Sequence, residues 1–130
     1  MRILVADDNA LIRTSIAEML MDNGWEVCGD APDAQTAIEK ARALRPDMVL
    51  LDISMPGMDG LQLASILRCE LPALKIVIVS NHELGQLLSA DQKHLADGFV
   101  DKTRMGTDLP TVIRNIETAP ASPTKNSDRI

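Results

Sequence analysis

Residues 48–60 read MVLLDISMPGMDG, and the first five of them decide the fold. Met48, Val49, Leu50 and Leu51 form an unbroken apolar run that ends on one carboxylate, Asp52. A strand with one face in water alternates apolar and polar residues, whereas a strand covered on both faces is apolar throughout, so this run reads as a central strand of a parallel sheet. Asp52 follows it directly, where a charge without partners would be costly to bury.

Working outward, similar runs recur at Ile3–Ala6, Trp25–Cys28, Ile76–Val79 and Phe99–Val100, the last being the shortest. Stretches of helical period lie between them. Ile12, Ile16, Met19 and Leu20 make one stripe that Gly24 is placed to end. Asp33 is placed to cap a second helix, with Ala37, Ile38, Ala41 and Leu44 inward and Pro46 closing it. Asp59 precedes Leu61, Leu63, Ile66 and Leu67, and a less regular fourth helix is expected around Leu84, Leu87 and Leu88. Thr107 is expected to cap a last helix through Pro110, with Leu109, Val112, Ile113 and Ile116 inward. Strands alternating with helices predict an α/β fold, a doubly wound five-stranded parallel sheet. From Ala119 the chain reads APASPTKNSDRI, without apolar period, so residues 1–118 are expected to form one domain and 119–130 a polar tail or truncated linker.

Composition narrows the function. A net charge of −6 and a pI near 4.8 oppose direct nucleic-acid binding, whose affinity rests on Lys and Arg meeting phosphates. Cys28 and Cys69 stand far apart with no metal-ligand spacing, as expected of reduced thiols in a cytoplasmic protein. The apolar runs are far short of a membrane span, and Met1 leads into a strand-like run with no room for a secretory signal.

In an open parallel sheet, ligands bind beyond the carboxyl ends of the strands. Those positions hold Asp7 and Asp8, Asp52, Ser80, and then Asp101 and Lys102. Taken one at a time, an Asp or Ser before a helix is more often a cap than a catalyst, and a lysine there is usually a solvated charge. Asp30, at the end of an edge run, reads as such a surface charge. Taken together, clustered carboxylates repel one another unless a cation offsets them, which calls for a divalent metal. A few oxygen ligands suit Mg²⁺, and Mg²⁺ beside Asp52 with Lys102 and Ser80 opposite suits the charge of a phosphoryl group in transfer.

The stretches ILVADDN (3–9), LLDISMPGMDG (50–60), IVIVS (76–80) and GFVDK (98–102), in that order, resemble the receiver domains of two-component response regulators. The resemblance covers about residues 1–117 and implies a flavodoxin-like (βα)5 fold of strand order 2-1-3-4-5. It further implies a phospho-accepting signalling switch and not an enzyme with a substrate of its own. Asp52 would take a phosphoryl group from the phosphohistidine of a sensor histidine kinase or histidine phosphotransfer protein. Asp8 would bind Mg²⁺ directly, Asp7 would assist through water, and Ser54 would lend its backbone carbonyl. Ser80 and Lys102 would contact the phosphoryl oxygens, and Phe99 stands where the family carries its aromatic switch residue. The output face would comprise the fourth helix, fifth strand and fifth helix, around Leu84–His94, Phe99 and Arg114, with Lys93, Asp97, Asp101, Arg104 and Arg114 suited to salt bridges across a homodimer.

This sequence departs from the family pattern at three places. Ser80 replaces the commoner Thr, Asn81 replaces a small residue, and Thr103 replaces the frequent proline after the lysine, so a trans Lys102–Thr103 peptide is expected. That last feature is similar to regulators carrying helix-turn-helix DNA-binding domains, so a receiver fragment of a longer transcription regulator is the alternative reading. His82, two residues beyond Ser80, reads as a solvated loop residue, with tuning of phosphoaspartate hydrolysis as its functional alternative. An aspartyl phosphatase would need a second Asp two residues after its nucleophile, where this chain has Ser54.

Overall fold

The computed structural model describes residues 1–53, 55, 58, 60–80 and 95–118. In chain order these form β1 (Arg2–Ala6), α1 (Ala10–Asp22), β2 (Glu26–Ala31), α2 (Ala34–Leu44), β3 (Met48–Asp52), α3 (Gly60–Glu70), β4 (Lys75–Ser80) and β5 (Gly98–Asp101). A short 3₁₀ turn, Lys102–Arg104, and a C-terminal helix, Met105–Thr118, complete them. The strands form one sheet of order β2-β1-β3-β4-β5, and every pairing is parallel.

Alternation along the strands splits the core into two layers. Leu4, Ala6, Val49, Leu51, Ile76 and Ile78 point to one face, against Ala37, Ile38 and Ala41 of α2 and Leu63, Ala64 and Leu67 of α3. Ile3, Val5, Leu50, Val77, Val79 and Val100 point to the other, against Ile16 and Leu20 of α1 and Leu109 and Ile113 of the C-terminal helix. The continuous apolar character of the three central strands is thereby explained, because neither face of them meets water.

The local stop signals act as the residue types dictate. Gly24 adopts a φ of +88° just past α1, a conformation that suits glycine. Asp33 Oδ1 accepts from the Thr36 backbone N–H at 2.8 Å and caps α2. Arg45 closes α2 in the left-handed region, its N–H still donating to the Ala41 carbonyl at 3.0 Å, and Pro46 follows.

Two expectations need correction. The second strand runs over 26–31 and not 25–28, so Asp30 lies within it; Trp25 precedes it and turns into the core, only 6% exposed. The C-terminal helix starts at Met105, ahead of Thr107. Its approach is capped by Asp101, whose Oδ1 accepts from the Thr103 backbone N–H at 2.9 Å and from the Thr103 hydroxyl at 2.8 Å. Thr107 instead donates to the Arg104 carbonyl, and Pro110 sits inside the helix. Of the charges expected on an intermolecular face, Asp97, Arg104 and Arg114 also have partners within the chain. Asp97 pairs with Arg68 at 2.8 Å and Arg104 with Asp108 at 3.4 Å. The Arg114 guanidinium lies 5.5 Å from the Trp25 ring centroid and donates to Asn23. The Lys102–Thr103 peptide is trans, as expected. The expected fourth helix, with Leu84, Leu87, Leu88, Lys93, His82 and His94, and the tail 119–130 lie outside the described residues, as do Ser54, Pro56, Asp59 and Asn81. Among the described residues no helix is long and apolar enough to cross a membrane.

Candidate functional site

The chain leaves β1 toward β2 on one side and reaches β3 on the other, so the carboxyl ends of β1 and β3 flank a crevice. Asp7 follows β1 and Asp52 ends β3; each is 1% exposed. Asp8 is exposed beside them. One carboxylate oxygen from each of Asp7, Asp8 and Asp52 can be chosen so that all lie within 4.8 Å of one another. Sequence alone left Asp7 and Asp8 as rival helix caps, but Asn9 takes that duty, its Oδ1 accepting from the Leu11 and Ile12 backbone N–H groups at 2.9 and 3.2 Å. Asp7 divides its work: Oδ1 accepts from the Asn9 N–H at 2.8 Å, and Oδ2 faces the crevice.

Lys102 enters from beyond β5. Its Nζ lies 3.0 Å from Asp52 Oδ2 and 3.3 Å from Asp7 Oδ2, so one ammonium spans two buried carboxylates. Burial drives the Asp7 carboxyl above its ordinary value, and the Asp52 charge adds to that against the opposing Asn9 hydrogen bond. Burial pulls the Lys102 ammonium down, but Asp52 and Asp7 outweigh it and leave its pKa raised. Ser80 completes the group as the last residue of β4, 5% exposed and in register with Asp101 of β5. The expected gathering of Asp7, Asp8, Asp52 and Lys102 is therefore present, while Asp101 turns to capping. Phe99 stands 37% exposed on β5.

The oxygen-only donor set fits a small hard divalent cation: two carboxylates are buried, and the third is open to water through which the ion would enter. Arg13, which sequence reasoning passed over, and Asp30, which it read as a surface charge, also belong here. Arg13 donates from a terminal guanidinium nitrogen to the Asp7 backbone carbonyl at 2.7 Å and from Nε to Asp30 Oδ2 at 2.8 Å. A signal was present, since Arg13 lies one turn into the helix that follows the aspartate pair, but an arginine there reads equally as a surface charge.

The family described as the response regulator receiver domain matches residues 3–114. The response regulator GacA of Pseudomonas aeruginosa is 41% identical over 116 residues, which cover 88% of this chain and 54% of that protein. The chain thus spans about half the length of that curated relative. Among solved structures, the isolated REC domain of RcsB from Salmonella enterica serovar Typhimurium, in the presence of phosphomimetic BeF3−, superposes with a TM-score of 0.83 at 25% identity, covering 98% of this chain and 93% of that one. The response regulator RcsB in complex with DNA gives 0.82 at 26% identity, covering 90% of this chain and 60% of that one.

Proposed function

This chain belongs to the response regulator receiver domains, and from that premise we propose that Asp52 is the phosphoacceptor of a two-component phosphorelay. A carboxylate oxygen of Asp52 attacks the phosphorus of a phosphohistidine on a sensor histidine kinase or histidine phosphotransfer protein; the P–N bond breaks and the imidazole leaves. The observation that carries this reading is the Lys102 ammonium 3.0 Å from Asp52 Oδ2, beside two further carboxylates within 4.8 Å. Lys102 would neutralise the transferred oxygens and the Ser80 hydroxyl would donate to one of them. Asp7, Asp8 and Asp52, with the Ser54 carbonyl, would hold Mg²⁺, which supplies positive charge to the phosphoryl oxygens.

Once phosphorylated, Asp52 carries close to two negative charges, and the Ser80 hydroxyl is drawn toward them. Phe99 then turns inward from its exposed position, altering the face formed by the segment after β4, by β5 and by the C-terminal helix, through which a homodimer would form. Residues 1–118 act as this switch and 119–130 as tail or linker. A second reading, a receiver within a longer helix-turn-helix DNA-binding regulator, is favoured by the chain spanning about half of its GacA relative; the gene sequence past Ile130 tests it.

Incubation with acetyl phosphate and Mg²⁺ should add one base-labile phosphoryl group, and Asp52→Asn should abolish it. Equal labelling of the variant would refute the assignment.

A further inference from the structure

Asp30 and Arg13 form a strut that reaches the acidic site from the edge of the sheet. Arg13 projects from the first turns of α1 with its side chain only 17% exposed. Its Nε meets Asp30 Oδ2 of β2 at 2.8 Å, and its terminal nitrogen donates to the Asp7 carbonyl at 2.7 Å. Lys40 of α2 holds the other end, donating to the Asp30 carbonyl at 2.5 Å with its Nζ 4.0 Å from Asp30 Oδ1. The Asp7 N–H donates to the Ala31 carbonyl at 3.0 Å, so the Asp7 backbone is tied to β2 through both of its polar groups, one directly and one through Arg13.

The Asp7 carbonyl belongs to the peptide that joins Asp7 to Asp8. That unit is planar, so a hydrogen bond fixing the carbonyl also fixes the direction in which the chain enters Asp8. Asp8 is exposed, whereas Asp7 is buried and held by its Asn9 hydrogen bond. We infer that Arg13, braced by Asp30, is the positioning residue that aims the Asp8 carboxylate into the cation site formed with Asp7 and Asp52; this rests on the cation role assigned above.

The sign of one measurement separates this from a simple charge effect. A guanidinium close to a cation site repels the cation, so deleting its charge would tighten binding if proximity were all that mattered. Loss of positioning weakens binding instead, and outer partners of metal ligands typically matter by 10- to 100-fold. With the whole chain, Mn²⁺ affinity is read by electron paramagnetic resonance, with no phosphoryl donor present. Arg13→Ala should weaken Mn²⁺ binding about tenfold, with Arg13→Lys recovering part of the loss. Asp30→Ala, which leaves the guanidinium in place but unbraced, should weaken it by a smaller factor and guards against a misfolded Arg13→Ala. Unchanged or tighter binding in both alanine variants overturns the inference. Asp8→Ala serves as reference: if it binds Mn²⁺ as well as the unaltered chain, the cation site itself is wrong, whereas loss in Asp8→Ala alone overturns only the role of Arg13.

Discussion

Replacing Lys102 with methionine keeps the stem and removes the ammonium that spans Asp7 and Asp52. Two carboxylates within 4.8 Å repel by about 3.5 kcal/mol at an effective dielectric constant near 20. Breaking a buried charge pair by removing one partner costs about 3 to 5 kcal/mol. The chain has one escape, which is to protonate a carboxylate. From the ordinary aspartate value of 3.8, protonation at pH 7 costs about 4.4 kcal/mol, and at pH 5 about 1.6 kcal/mol. The Asp7 carboxyl already lies above its ordinary value through burial, so protonation there costs less than that. An acid whose folded pKa is raised contributes stability that is present below the unfolded value and is lost as pH rises through the folded one. Lys102→Met should therefore lose about 3 kcal/mol at pH 7 and about half that or less at pH 5. Urea unfolding followed by Trp25 fluorescence, without divalent cations, measures both. A loss under about 1 kcal/mol that does not vary with pH would mean that water already screens the two carboxylates, and the reasoning fails.

Two further substitutions probe the surroundings. A Cβ on Gly60 would lie 2.6 Å from the Ile53 Cα, so Gly60→Ala should cost about 1 to 3 kcal/mol in urea unfolding and displace the backbone directly after Asp52; a neutral result would mean that the turn yields freely. Trp25 Nε1 donates to Glu117 Oε2 at 3.1 Å, tying the end of the C-terminal helix to the start of β2, so Glu117→Ala should cost about 1 kcal/mol and shift Trp25 emission, while Glu117→Gln, which keeps an acceptor, should cost less.

Most of the fold was legible because its signal is collective. The runs ILVA, MVLL and IVIV became the three strands buried on both faces, and Gly24, Asp33 and Pro46 mark helix ends through local chemistry, a left-handed φ, a side-chain cap and a missing N–H. The misplaced start of the C-terminal helix has a local cause. Thr107 and Pro110 carry good start signals, but Asp101 captures Thr103 first and begins a turn that runs into the helix, and tertiary burial of Leu109 and Ile113 keeps Pro110 inside it. For a related reason the sequence does not show what Asp97, Arg104 and Arg114 touch within the chain. Their partners, Arg68, Asp108, Asn23 and Trp25, are set by packing, and all but Asp108 are distant in sequence.

The site divides along the same line. Asp7, Asp52 and Ser80 each stand directly after an apolar run and Lys102 one residue further on, so strand position alone brought them to one edge, where Lys102 lies against two carboxylates. The Arg13 strut has no such one-dimensional mark. Asp30 looked like an idle charge on an edge strand, and its meaning depends on Arg13, 17 positions earlier, reaching across from α1. A buried carboxylate announces itself by the cost of its burial, whereas the residue that aims an exposed carboxylate leaves no trace in polarity or period. Second partners of a site therefore become visible only when the peptide they hold is seen, and the Asp7–Asp8 peptide is such a case.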